Sequence, residues 1–268
     1  MPRVRTRRGR RGRRARGGEF DVAGTRAETA LTDATRRDHV RTASEHPARA
    51  AVTLPPPLRN RLAALILDAF HDPEARRGLE AAAFIGTVGE GLGEAPGPPE
   101  GFPRDGLLEH AEDVRMKGAW RQHAAELRAR AGRAWRALDG RPLDSREPPL
   151  AAALSAAGLL FDAGLYFEAH ERLEPYWSRS TGGDREALQG LIQVAVGFQH
   201  LANGNVAGAR ALLRDGSARL IAREIATLAL DPFGRAIVGC LDDVLRLGTE
   251  GASRFDWTTV PRFPSRTT

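Results

Sequence analysis

From Leu150 to Leu247 apolar residues recur at intervals of three and four, and the breaks in that rhythm are glycines and prolines. Such spacing lines one face of a helix, whereas a half-buried strand would alternate. Nothing after residue 50 alternates in that way, so the chain is expected to be all-α. One helix is predicted over about 150–162 (LAAALSAAGLLFD), stopped by Gly164. A second is expected over 166–174, ended or bent by Pro175, which lacks an amide hydrogen and clashes with the preceding turn. Asp184 is placed as the N-cap of a long helix over about 185–202, which Gly204 ends. Another helix begins near Val206, and helices near 217–229 and 235–247 are separated by Asp231-Pro232.

Two stretches of this region resemble each other. FDAGLYFEAHERL (161–173) aligns with LANGNVAGARALL (201–213) at an offset of 40, with a glycine followed five residues later by alanine in both. That pattern predicts helical hairpins, in which small residues let two helices approach closely. It has tetratricopeptide-like features, although that repeat has a period of about 34 residues. Two units are too few for a free-standing solenoid, so a compact bundle of helical hairpins is expected.

Upstream the pattern is sparser. Leu58, Leu62, Leu65, Ile66 and Phe70 predict a helix, and a second short one is expected from Glu74 to Phe84 after Asp72-Pro73. Residues 86–106 are rich in Gly and Pro and read as a loop. A longer helix is predicted from Leu107 to Leu138, with a break near Gly118 or Gly132. The Pro-rich stretch 139–149 is expected to carry the main boundary. The expected organisation is thus a disordered Arg-rich tail over 1–50, a helical segment over 51–140, a linker over 141–149 and a bundle over 150–250. A closing tail over 251–268, irregular but packed through Phe255 and Trp257, completes it.

The formal net charge of +6 is unevenly spread. Residues 1–18 hold nine arginines and no acid, so the rest of the chain sums to −3. Such a tail could neutralise nucleic-acid phosphates, or it is an unstructured extension. Lys117 is the one lysine among 40 basic residues, and with the Ala, Gly and Pro load this points to GC-rich, bacterial coding bias. Cys240 is the single cysteine, which excludes an intrachain disulfide and a cysteine-based zinc site and suits the cytoplasm. No apolar run approaches the roughly 18 residues of a membrane span, so no membrane partner is expected.

The polar residues of the bundle are concentrated on two helices. Glu168 and Glu171 are three apart, and His170 and Glu174 are four apart. On the 185–202 helix Gln189, Gln193 and His200 form one stripe on an otherwise apolar surface. Buried polar groups must find partners, and the two sets are expected to face each other. One reading has His170, His200 and Glu171 holding a divalent metal (zinc, iron or manganese), with Glu168 as general base for hydrolysis of a small substrate. The other makes the same residues a buried hydrogen-bond network in a non-catalytic module that binds a peptide or protein. A second acidic cluster, Glu109, His110, Glu112 and Asp113, reads as a solvated face.

LFDAGLYFEAHERLEPYW (160–177), ALQGLIQVAVGFQHLANGNVAGARALL (187–213) and, more loosely, LDDVLRLG resemble the domain of unknown function 309 family. The likeness covers about 150–248. Members are often labelled predicted metal-dependent hydrolases. The resemblance implies a small helical bundle whose characteristic polar positions are Glu168, His170, Glu171, Gln189, Gln193 and His200, with Trp177 and Asn205 beside them. Pro175 departs from it, interrupting a helix expected to run on to Trp177.

Overall fold

The computed structural model describes residues 53–84, 108–109, 115–116, 118–146 and 148–265. The expected Arg-rich tail and the 86–106 loop lie outside them. Among the described residues, α1 (Pro56–Asp68) and α2 (Pro73–Ala83) open the fold. α3 (Ala124–Leu138), α4 (Leu150–Asp162), α5 (Tyr166–Arg179), α6 (Gly182–Ala202), α7 (Val206–Leu220), α8 (Asp231–Leu247) and the single turn α9 (Gly251–Arg254) follow. The architecture is an all-α bundle, in which α6 packs most extensively on α7 and α5. No helix among the described residues is long and apolar enough to cross a membrane.

The two related stretches close their hairpins identically. At the end of α4 the Leu165 N–H bonds to the Leu160 carbonyl and the Gly164 N–H to that of Phe161. At the end of α6 the Asn205 N–H reaches His200 and the Gly204 N–H reaches Leu201. Both are Schellman closures, which need a left-handed residue. Gly164 and Gly204 supply it at φ +70° and +82°.

Five helix predictions need correction. The helix expected from Leu107 begins only at Ala124. Ahead of it lie two antiparallel two-residue strands, β1 (Leu108–Glu109) and β2 (Arg115–Met116), and a 3₁₀ segment, Gly118–His123. Short apolar runs between glycines do not distinguish helix from strand by spacing, and Gly118 is a poor helix former. α5 does not stop at Pro175 but continues to Arg179. The last turn is held from outside by the Tyr176 hydroxyl, which donates to the Pro148 carbonyl at 2.6 Å, and from within by Arg179 Nε, which donates to the Pro175 carbonyl at 2.9 Å. Asp184 is not the N-cap of α6; Thr181 stands there and Asp184 lies in the first turn, where its charge suits the helix dipole. In place of a helix over 217–229, α7 ends at Leu220 and a hairpin follows, β3 (Glu224–Ile225) with β4 (Leu228–Ala229). Ala226 and Thr227 form its two-residue turn at φ 47° and 69°. This turn has positive φ at both central residues but none of the Asn or Gly that usually announces it. Asp231-Pro232 opens α8 rather than separating two helices, since proline fits the first helical turn.

The centre of the core is aromatic. Phe161 of α4 contacts Tyr166, Phe198, Phe233 and Phe263 with ring centroids 5.1–5.8 Å apart. Phe255 is buried and packs on Trp257, so the closing segment is packed as expected. Residues 139–149 run between α3 and α4 and are bonded on both sides. The Asp144 N–H donates to the Phe70 carbonyl at 2.7 Å, and Arg172 Nη2 lies 3.4 Å from Asp144 Oδ2.

Candidate functional site

α5 carries the chemistry. Tyr166, Ala169 and Leu173 point its apolar face inward, and Glu168 is buried with them at 0 % exposure. A carboxylate taken wholly out of water needs a matching charge. Its partner is Arg130 of α3, itself buried, whose Nη2 donates to Oε1 at 3.1 Å and Oε2 at 3.2 Å. Arg130 Nε has no hydrogen-bond partner. Arg133 and Glu126, one turn along α3 on either side, extend the charges. Burial pushes the Glu126 carboxyl above its ordinary range against the pull of Arg133 and Arg130. Burial and then Arg130 lower the Arg133 guanidinium, while Glu126 and Glu168 oppose them.

A shallower group lies on the same helix. His170 Nε2 is 3.1 Å from Glu171 Oε1, and its ring stands edge-on to Phe167 with centroids 4.9 Å apart. The guanidinium of Arg59 covers the Phe167 ring at 4.1 Å. The hydrogen bond from His170 is the main cause that holds the Glu171 carboxyl below its ordinary range; burial opposes it, and the charges of His170 and Arg59 assist. Exposed Glu174, one turn on, completes a trio whose ligand-capable atoms all lie within 4.8 Å of one another.

The residues expected to face α5 from α6 have other surroundings. His200 lies in the last turn of α6, with Nδ1 2.7 Å from Asn205 Nδ2. Asn205 in turn caps α7 through Oδ1, which accepts from the Gly208 N–H at 2.9 Å. His200 and Asn205 thus bracket the glycine turn at Gly204, and among the described residues the trio that could hold a metal does not include His200. Gln189 is buried with its Nε2 unpartnered, and Gln193 Oε1 is likewise buried without a partner. Trp177 lies in the last turn of α5 beneath Arg185, whose guanidinium is 4.1 Å from the ring centroid.

The structure therefore brings His170 and Glu171 together, sends Glu168 inward to Arg130, and sets His200 at the hairpin turn. Two participants were not assigned to the site from the sequence. Glu174 was legible from its place four residues after His170. Arg130 had no signal of its own, being one of many arginines and 38 residues from its partner.

The donor set suits a metal in part. One imidazole and two carboxylates are ordinary ligands for zinc, manganese or iron. The 3.1 Å between His170 and Glu171 matches two neighbouring ligands on one ion with bonds of about 2 Å. His170 Nδ1, however, is buried without the hydrogen-bond acceptor that usually orients a ligating histidine.

Comparison with family models matches residues 154–212 to the family described as Domain of unknown function (DUF309). This span runs from α4 into α7 and includes all of α5 and α6. Searches of curated proteins and of solved structures found no match.

Proposed function

We propose, from the match of residues 154–212 to the DUF309 family model and the geometry of α5, that this domain is a helical-hairpin module that holds one divalent cation through His170, Glu171 and Glu174. The convergence of one imidazole nitrogen and two carboxylate oxygens within 4.8 Å carries the reading. A bound cation of this kind supplies Lewis acidity and a more acidic water, the chemistry that a hydrolase of a small substrate requires. The chain's own residues divide the remaining work. The hydrogen bond from His170, assisted by the charges of His170 and Arg59, holds the Glu171 carboxyl below its ordinary range against its burial, which favours the anionic form that a cation takes. Phe167 stands against the imidazole, Arg59 covers the Phe167 ring, and Glu174 is exposed. Glu168 in this reading is a structural carboxylate, because a general base must meet water or substrate and both of its oxygens face Arg130. The buried pair also favours a second reading, a non-catalytic binding module whose polar interior only fixes how the helices pack.

Calorimetric titration of zinc or manganese into untagged, metal-stripped full-length protein separates the two. One equivalent per chain is expected, with affinity at least about tenfold weaker in His170→Ala and Glu174→Gln, the loss of one ligand. In carbon-detected NMR, His170→Ala should also raise the Glu171 carboxyl toward its ordinary range. The sign is that of a depressed acid. Its contribution to stability is present above the unfolded pKa and is lost as pH falls through the lower, folded one. No metal uptake by the parent protein would leave the binding-module reading standing.

A further inference from the structure

A cavity of about 460 Å³ lies away from the α5 trio, between α4, the β3–β4 hairpin and the segment that follows α9. On α4 it is floored by Ala152, Ser155 and Gly158, whose small side chains leave the space open. Leu228 and Phe263 contribute apolar walls, and Asp162 closes the row on α4. The size falls within the range of small-molecule sites, which are mainly apolar with a few polar groups that fix orientation (about 300–1,000 Å³).

Asp162 is the group that gives the cavity chemical character. Its Oδ1 accepts a hydrogen bond from the Phe263 N–H at 2.8 Å, which clasps the closing segment onto α4. Its Oδ2 faces Arg262 Nη1 at 3.5 Å, a loose pairing with a side chain that is 83 % exposed. An exposed arginine held so loosely contributes little and is easily displaced. The Asp162 side chain is itself only 27 % exposed, and partial burial pushes its carboxyl above the ordinary range against the opposing bonds from Phe263 and Arg262. A partly covered negative charge beside an apolar space favours a cation with an apolar body. It disfavours an anion of the same shape.

We propose that this cavity binds a small amphiphilic amine, its apolar body against Leu228 and Phe263 and its ammonium group on Asp162 Oδ2 in place of Arg262. The test uses 2-phenylethylamine, 2-phenylethanol and 3-phenylpropionate as probes, with ligand-detected NMR on the full-length protein. The amine is expected to bind at least about tenfold more tightly than the alcohol, in keeping with a charge-assisted hydrogen bond, and the carboxylate not at all. Asp162→Asn keeps an oxygen for the Phe263 N–H and removes the charge, so it should abolish the preference for amine over alcohol. Ala152→Leu fills the space and should abolish binding of both while the melting temperature is retained. Equal binding of amine and alcohol, no binding of the amine, or unaltered amine binding in either variant would overturn the proposal.

Discussion

Glu168, Ala169 and His170 are consecutive, yet their side chains meet a buried guanidinium, an apolar core and a half-open surface in turn. The difference arises because successive helical residues are rotated by about 100°, so neighbours in sequence share no face. The Arg130–Glu168 pair is where this matters most for stability. Removing two charges from water costs as much as their attraction returns, so the intact pair adds little net stability. Breaking it strands the other charge. Glu168→Leu or Arg130→Met alone is therefore expected to destabilise the fold by about 3–5 kcal/mol, whereas the two combined should recover most of the loss. Urea unfolding of the two single variants and the double variant measures this. Additive losses would show that the two side chains do not act as a pair.

Helix ends were legible wherever one residue type decides them. Gly164 and Gly204 announced two turns because a left-handed closure admits little else, and Pro73 after Asp72 announced the start of α2. Elements decided by distant contacts were not legible. α5 passes through Pro175 because Tyr176 is bonded to Pro148, and no local rule contains that bond. The β3–β4 turn at Ala226-Thr227 likewise carries no glycine to mark it. The functional residues divide in the same way. The α5 cluster stood out in sequence, but its separation into a buried acid and an open trio depended on α3, which the family likeness did not reach. The α6–α7 crossing makes the contact between elements measurable. A methyl group added at Gly216 would lie 2.9 Å from the Gly190 carbonyl oxygen and 3.0 Å from the Val194 nitrogen. Backbone atoms cannot rotate aside, so Gly216→Ala is expected to cost about 1–3 kcal/mol in thermal unfolding. At Gly239 an added methyl meets nothing within 4 Å, and Gly239→Ala in α8 should stabilise by roughly 0.5–1 kcal/mol.

Across the whole described bundle, α1–α3 and α4–α8 are joined by one buried ion pair and by bonds on both sides of residues 139–149. The expected behaviour is a single cooperative transition. Variants that retain only Trp135, on α3, or only Trp257, beyond α9, place a fluorescent reporter in each part. Coincident melting curves are expected, and two separated midpoints would divide the chain into independently folding domains at the 139–149 boundary. The aromatic centre adds a constraint in time. Phe161 is covered by Phe263, and the bond that seats this later segment spans 101 residues. A ribosome delivers α4 well before it delivers Phe263, so the newborn hairpins must wait with part of their greasiest surface bare. Apolar surface left bare in that interval is where aggregation would compete with folding.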